Sequence, residues 1–357
     1  MERKRRIVYQ IKDISYKIGK LKKRLRFSYE CFFRGDDEWF VSQVKKLGKE
    51  KNIVGISKGE KGEEGILYHI FVPASYAGFF ANYGKVLAYL YFADQYHLTP
   101  VVEFSKKNLY AEDYPVNGSK NPFEYYFMQP CGISLDEMRE HGPILESRRE
   151  NSWMANELDD EMINYVRSER FIQEMARIVQ KYIRLNPKVE EKILTDKKNL
   201  LDNKKTLGVH VRGTDFKQNY NGHPVCITVQ EYLQKAVELT EHKRYEQIFL
   251  ATDDCSAVKM FRDRFGNKLK VYSDVMRSDG NITVMKSESE RKDHHYLLGL
   301  EVLRDMMTLA DCDGFLAGLS QVSYAVRFQK LSYDKQFEDL VILNKGINEH
   351  TNRNCPK

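Results

Sequence analysis

The chain has 357 residues, of which 42% are hydrophobic and 30% charged, with 21 glycines and 9 prolines. This composition excludes collagen-like, low-complexity and wholly disordered chains, and the length predicts two domains at about 150 residues each. Residues 1–27 hold 11 of the 57 Lys and Arg but only two of the 51 acidic residues, so the rest of the chain has a net charge of −3. A body without excess positive charge is not expected to bind nucleic acid.

The N-terminal segment, residues 1–27, repeats apolar residues every three or four positions among Lys and Arg, which predicts a basic amphipathic helix. The apolar positions are Ile7, Ile11, Ile14, Ile18, Leu21 and Leu25. Such a helix could bind an anionic membrane surface, pair with a second copy as a homodimer, or pack on its own body. No apolar run resembles a signal peptide or a membrane span, and the six cysteines are widely spaced. We therefore expect a cytoplasmic protein with reduced thiols, peripheral on the inner face of the cell membrane.

From Ile66 onward the hydrophobic pattern alternates between strands and helices. A strand at 66–72, a helix ending near His97 and a strand at 100–104 form one βαβ unit. An aromatic loop at 121–130 and one long helix at 157–184 follow. The second half has predicted strands at 206–212, 247–252, 269–273, 314–317 and 339–343, and predicted helices at 228–241, 256–265, 296–310 and 321–330. This alternation predicts a parallel, doubly wound sheet, with a ligand bound in the cleft between two α/β halves.

The sharpest local feature is LGVHVRGTDF, residues 207–216, at the end of a predicted strand. The two-residue period of a strand places His210 and Arg212 on one side, while Gly213 lets the chain turn toward Asp215. An Arg fork beside a His is suited to a diphosphate, and ligands gather at the carboxyl ends of parallel strands. The alternative is an ion pair between Arg212 and Asp215 that only caps the strand.

Two more polar clusters are expected at the same edge of the sheet. In IFLATDD, a strand ends in Asp253 and Asp254, which could cap the next helix, orient His210 or Arg212, or act as a base. Ser320 begins a helix directly after an apolar strand. Its hydroxyl and the first-turn amides form a phosphate cradle, which is compatible with an ordinary helix cap.

Taken in order, the motifs of residues 205–330 resemble the GDP-fucosyltransferase superfamily, especially its α1,6-type branch. The resemblance is carried by GVHVRGTDF, HP at 223–224, EY at 231–232, IFLATDD, and the stretch from Asp305 to Ser320 and Gln321. It implies a GT-B fold with two Rossmann-like domains facing a cleft, and inverting transfer without a metal cofactor. The implied divisions are an N-terminal helix and linker at 1–50, an acceptor-side domain at 51–200, a GDP-sugar domain at 201–345 and a tail at 346–357.

The resemblance also implies roles for individual residues. Arg212, Asp215 and His210 are the implied catalytic residues. The implied donor-binding residues are His210, Arg212, Asp253, Asp254, Asp305 at the guanine, Ser320 at the phosphates, and Gln321. The implied donor is GDP-fucose, and the implied acceptor is a glycan or a lipid-linked oligosaccharide.

The sequence departs from the family pattern in two places. The second Arg of the first motif is Gly213 here, and the loop at 216–224 contains no carboxylate. The base is then Asp215, an acidic residue of another segment, His223, or absent. Transfer of another nucleotide sugar, or sugar-nucleotide binding without catalysis, therefore stay open as alternative functions.

A D-x-D triplet, Asp311, Cys312 and Asp313, matches the pattern with which metal-dependent glycosyltransferases hold Mn²⁺ or Mg²⁺. The triplet lies between a predicted helix and a buried strand, and so short a pattern is frequent by chance. We therefore predict a structural role for it, and solvated roles for His294 and His295.

Overall fold

The computed structural model describes residues 66–74, 77–140, 144–159, 166–213, 222–278 and 289–348, together with Val284 and six residues between Leu21 and Phe33. Of the basic segment at 1–27, Leu21 and Leu25 are described; both are helical and exposed, and the rest of the predicted amphipathic helix lies outside the described residues. Among the described residues, no helix is both long enough and apolar enough to cross a membrane.

Strands and helices alternate along the chain. In order they are β1 (Leu67–Val72), α1 (Phe79–Gln95), β2 (Thr99–Phe104), α2 (Leu135–Glu140), β3 (Ile144–Glu146), α3 (Arg149–Trp153), a 3₁₀ helix (Met154–Leu158), α4 (Glu169–Tyr182), α5 (Pro187–Leu201), β4 (Thr206–Val211), α6 (Val229–Lys243), β5 (Gln247–Thr252), α7 (Cys255–Phe265), a 3₁₀ helix (Gly266–Lys268), β6 (Leu269–Lys270), α8 (His294–Asp311), β7 (Gly314–Gly318), α9 (Gln321–Ser332) and β8 (Asp339–Leu343).

The strands form two parallel sheets. The first has the order β2-β1-β3 and the second the order β6-β5-β4-β7-β8, and every pairing within them is parallel. In the second sheet, Leu250 faces the core beneath α6 and α7, whereas its neighbour Phe249 faces the core beneath α8. The predicted doubly wound α/β sheet is therefore confirmed. Its strand order reverses between β4 and β7, which is where ligands bind in sheets of this kind.

The prediction of a single helix at 157–184 is wrong. The 3₁₀ helix ends at Leu158 and α4 begins at Glu169. Ser168 is the N-cap of α4, and its hydroxyl accepts a hydrogen bond from the Phe171 amide. The Asp159 carboxylate accepts from the Ser168 amide, which fixes the non-helical backbone before the cap. The N-cap at Ser168 therefore starts a new helix, although the apolar residues repeat with a helical period on both sides of it.

Helix α5, which begins at Pro187, was not predicted, because a proline marks the first turn of a helix as readily as it marks an end.

An aromatic segment of the first half packs against helix α8 of the second half. The Tyr126 hydroxyl donates to the Tyr296 carbonyl at 2.9 Å, and the two rings stack with centroids 5.4 Å apart. A Cβ atom at Gly299 would lie 2.3 Å from the Tyr126 hydroxyl oxygen, so this close approach needs glycine. One hydrophobic core consequently extends from the first sheet to the face of the second sheet that carries Phe249 and Phe315.

Candidate functional site

A cavity of about 350 Å³ opens at the carboxyl ends of the central strands of the second sheet. Its floor is formed by the ends of β4 and β5, and one wall is the start of α9 after β7. Residues 77–81 also line it, where the loop after β1 leads into α1 of the first half. The cavity thus lies at the reversal of strand order and is lined by both halves of the chain, which is the position expected for a ligand site.

His210 and Arg212 both line the cavity, as the strand periodicity predicts. His210 is 6% exposed, and its Nδ1 atom has no hydrogen-bond partner among the described residues. Burial, with a smaller contribution from the positive charge of Arg212, lowers the pKa of His210 to about 3. The imidazole is therefore neutral at physiological pH, so it serves as a hydrogen-bonding group while Arg212 supplies the charge.

The two carboxylates that end β5 have different surroundings. Asp253 lines the cavity; one of its oxygens accepts from the Gly213 amide at 3.1 Å, and the other lies 3.5 Å from the Arg212 guanidinium. Asp254 is fully buried and caps α7, accepting from the Ser256 amide at 2.8 Å. The structure therefore favours Asp253 as the group that orients Arg212. The Asp254 carboxylate caps the first turn of α7, which is one of the roles that the sequence left open for Asp254.

Gly213 occupies a crowded position. A Cβ atom there would lie 2.8 Å from Asp254 Cβ, closer than side chains pack. The position that carries a second Arg in the family that the motifs resemble therefore cannot hold a side chain here unless the end of β4 moves. Asp215, the remaining implied catalytic residue, lies outside the described residues, as does the rest of 214–221.

Asp305 and Glu301 project into the cavity from successive turns of α8. Asp305 is 7% exposed, and burial raises the pKa of its carboxyl to about 7 against the opposing charges of Arg277 and Arg304. No hydrogen bond to this carboxyl occurs within the described part of the chain. Val275 and Val302 also line the cavity, and we call the part formed by these two apolar side chains and Asp305 the apolar slot.

Glu301 lines the cavity, although no sequence motif indicates it. Its carboxylate accepts from the Met276 amide at 3.1 Å and from the Arg291 guanidinium at 2.5 Å. Met276 itself lines the cavity, so Glu301 fixes the backbone at Met276 as part of the cavity wall. Glu301 has this role because Met276, 25 residues earlier in the chain, lies next to it in the fold.

Ser320 and Gln321 line the cavity at the start of α9. The Ser320 hydroxyl accepts from the Ser323 amide at 3.0 Å, so the ordinary N-cap interpretation of Ser320 applies. The remaining first-turn amides and the positive end of the helix dipole still favour an anion at this point. Tyr110 and the segment at 77–81 also line the cavity.

The D-x-D triplet lies at the opposite edge of the sheet from the cavity. Asp313 accepts from the Thr206 amide at 2.7 Å, where β4 begins, and Asp311 forms an ion pair with Lys197. These contacts give the triplet structural roles. Within the described ranges, no three or more His, Cys, Asp or Glu residues are grouped so that they could hold a metal ion. The solvated role predicted for His294 is wrong, because this residue begins α8, is 8% exposed and accepts a hydrogen bond from Arg291, whereas His295 is exposed.

No protein-family model matches the chain, and neither does any curated protein. Among solved structures it is similar to NodZ alpha-1,6-fucosyltransferase co-crystallised with GDP, at 16% identity and a TM-score of 0.46, over 76% of this chain and 93% of that one. It is also similar to fucosyltransferase NodZ from Bradyrhizobium, at 14% identity and a TM-score of 0.42, over 75% of this chain and 92% of that one. A third similar structure is POFUT1 in complex with GDP, at 11% identity and a TM-score of 0.43, over 79% of this chain and 99% of that one. NodZ is a fucosyltransferase, the class of enzyme that the motifs of 205–330 resemble. At these TM-scores the similarities carry no argument about activity, which rests on the cavity and the motifs.

Proposed function

We propose that the chain is a glycosyltransferase that moves fucose from GDP-fucose to a hydroxyl of a glycan acceptor. The observation that carries this proposal is one cavity with an Arg–His pair at the strand ends and a buried carboxyl, Asp305, in an apolar slot. These are the groups that a diphosphate and a guanine require, in one site of about 350 Å³, a volume typical of small-molecule sites.

The donor would be held by three features of the site. The planar fork of Arg212 suits the diphosphate, assisted by His210 Nδ1 and by the amides that begin α9. In the slot, ionised Asp305 would accept from the N1–H and 2-amino groups of guanine. Uracil and adenine lack that paired donor edge, so this contact favours GDP over UDP and ADP.

Transfer would invert the anomeric carbon. The bond from that carbon to the phosphate oxygen breaks, the acceptor oxygen bonds to the opposite face, and the acceptor proton passes to a base or to water. Charge grows on the leaving diphosphate, so Arg212 and the α9 amides stabilise the transition state. Asp253 and His223 line the same cavity and are candidates for the base, beside Asp215. We propose no metal for this reaction.

The proposal includes the GT-B layout, with acceptor binding in residues 51–200 and donor binding in 201–345.

We also propose a cytoplasmic protein that binds the inner face of the membrane through residues 1–27. Binding of the full chain to anionic vesicles, lost on deletion of that segment while transfer continues, supports the membrane role. A deletion that changes only the oligomeric state points to a coiled coil instead.

Two measurements test the proposed activity. GDP and GDP-fucose should raise the melting temperature more than UDP or ADP, since a ligand at 100 times its Kd adds about 2.7 kcal/mol to stability. Release of GDP from GDP-fucose should require an added acceptor, which separates an enzyme from a sugar-nucleotide binder. Equal protection by UDP would refute the guanine assignment. The alternative of another nucleotide sugar is motivated by the crowded Gly213, and other GDP-sugars in the same panel test it.

The absence of a metal requirement has its own test. EDTA should leave turnover intact, and Asp313→Ala should affect transfer far less than Arg212→Ala. Loss of turnover with EDTA, restored by Mn²⁺ or Mg²⁺, would contradict this part of the proposal.

A further inference from the structure

A group of basic and aromatic side chains lies beside the cavity mouth on α1 and α3. Ala81 lines the cavity, and Lys85 follows it one turn later on the same face of α1, about 6 Å further along the helix axis. Between them, a Cβ atom on Gly84 would lie 3.5 Å from Oε1 of Gln321, which itself lines the cavity. Lys85 therefore stands just outside the donor cavity, next to its rim.

The second helix adds a second cation and an aromatic ring. Arg149 begins α3, which packs against α1, and its guanidinium carbon lies 5.6 Å from the centre of the Trp153 ring. Trp153 is 51% exposed, so much of its ring faces solvent. We call Lys85, Arg149 and Trp153 the rim patch.

The two cations of the rim patch, Lys85 and Arg149, lie on helices that pack against each other. Burial, and then the charge of Arg149, lower the pKa of Lys85. In the part of the chain that the structure describes, no carboxylate forms an ion pair or hydrogen bond with either side chain. Two neighbouring positive charges repel each other, and burial weakens their hydration. A bound anion would offset both effects by its attraction to Lys85 and Arg149.

The location of the rim patch links it to the acceptor. Arg149 follows closely on the carboxyl end of β3, and α1 follows β1, so the patch lies at the edge of the first sheet where ligands of parallel sheets gather. This edge faces the same cavity as the donor groups. An exposed Trp ring offers a flat apolar surface for a sugar ring, and a neighbouring cation pair offers a partner for a charged substituent on that sugar.

We propose that the rim patch binds an anionic substituent of the acceptor glycan, with Lys85 and Arg149 on the carboxylate or phosphate and Trp153 against the sugar ring. This inference rests on the proposed function and extends it by making the acceptor an acidic saccharide.

The test uses the fluorescence of Trp153, one of two tryptophans in the chain. The full chain carrying Trp39→Phe is saturated with GDP and titrated with a galacturonic acid trimer, a galactose trimer as its neutral counterpart, and a phosphorylated disaccharide. At least one acidic probe should change Trp153 emission and bind at least tenfold more tightly than the neutral trimer. Which acidic probe responds distinguishes a carboxylate from a phosphate.

Three variants locate the binding. Lys85→Gln combined with Arg149→Gln should weaken binding of the acidic probe by roughly tenfold. Lys85→Arg should bind this probe as tightly as the parent does, because the positive charge remains. Lys259→Gln, which removes an exposed lysine on α7, should have no effect. All variants should bind GDP as the parent does, and unchanged melting temperatures confirm that they fold.

Equal binding of the neutral and acidic trimers, failure of every acidic probe, or an unchanged affinity in the double variant would overturn the inference. A parent protein that does not bind GDP would overturn the proposed function instead, so the two failures are distinguishable.

Discussion

The buried carboxyl of Asp305 makes the binding of guanine nucleotides depend on pH. In the free protein its pKa is about 7, against an ordinary value of 3.8, chiefly because burial disfavours the charged form. Guanine presents donors to this group, so the ionised carboxylate is the form that binds. Ligand binding below pH 7 must then release a proton, and affinity should rise as the pH increases.

The size of the effect follows from the ionised fraction. At pH 6 about one eleventh of the carboxyl is ionised and at pH 8 about ten elevenths, and the apparent Kd equals the intrinsic Kd divided by that fraction. The Kd for GDP should therefore fall by about tenfold between these values, or about 1.4 kcal/mol. His210, with a pKa of about 3, stays neutral across this range and adds nothing.

Isothermal titration calorimetry from pH 6 to pH 8, in two buffers of different ionisation enthalpy, measures both the affinity and the proton released. Asp305→Asn is the control, because the phosphates of GDP titrate identically with both proteins. The variant should bind GDP more weakly at pH 8 and lose the tenfold pH dependence. An equal dependence of the Kd for GDP on pH in the two proteins, or an affinity for GDP that rises as the pH falls, would refute the reasoning.

Four further predictions concern single residues. In steady-state kinetics, Arg212→Ala should lower kcat by roughly 10²- to 10³-fold, and Arg212→Lys should restore only part of the lost kcat. Gly213→Ala should cost about 1–3 kcal/mol in urea unfolding because its Cβ meets Asp254, whereas Gly84→Ala, with 3.5 Å of room, should be tolerated. Glu301→Gln should weaken GDP binding several-fold while kcat changes little, because the residue acts through the loop wall; an unchanged Kd would contradict that role. Hydrogen bonds to Glu103 and Glu146 outweigh the burial of His69 and raise its pKa to about 9. The stability this provides is complete below about pH 6.5 and is lost as the pH rises through 9, so His69→Gln should cost about 1–2 kcal/mol at pH 6 and much less at pH 10.

The sequence predicts those features that local patterns determine. Strand alternation alone places His210 and Arg212 together, because side chains two residues apart share a face of any strand. It could not decide which of two adjacent carboxylates meets Arg212, since Asp253 and Asp254 are equivalent until the backbone of the helix start is fixed. Glu301 was beyond prediction for another reason. Its role depends on a loop more than twenty residues earlier returning to the same helix, and no short-range pattern encodes that contact.

The contact of Tyr126 with Gly299 bears on how this protein can be divided or recombined. Because the aromatic segment of the first half sits directly on α8, neither half has a complete interior of its own. Either half expressed alone would present a wide aromatic surface to water and would aggregate. An exchange of donor-binding halves between related proteins would succeed only if residues 121–127 were exchanged with α8, so a chimaera joined near residue 200 should misfold even when its linker is intact.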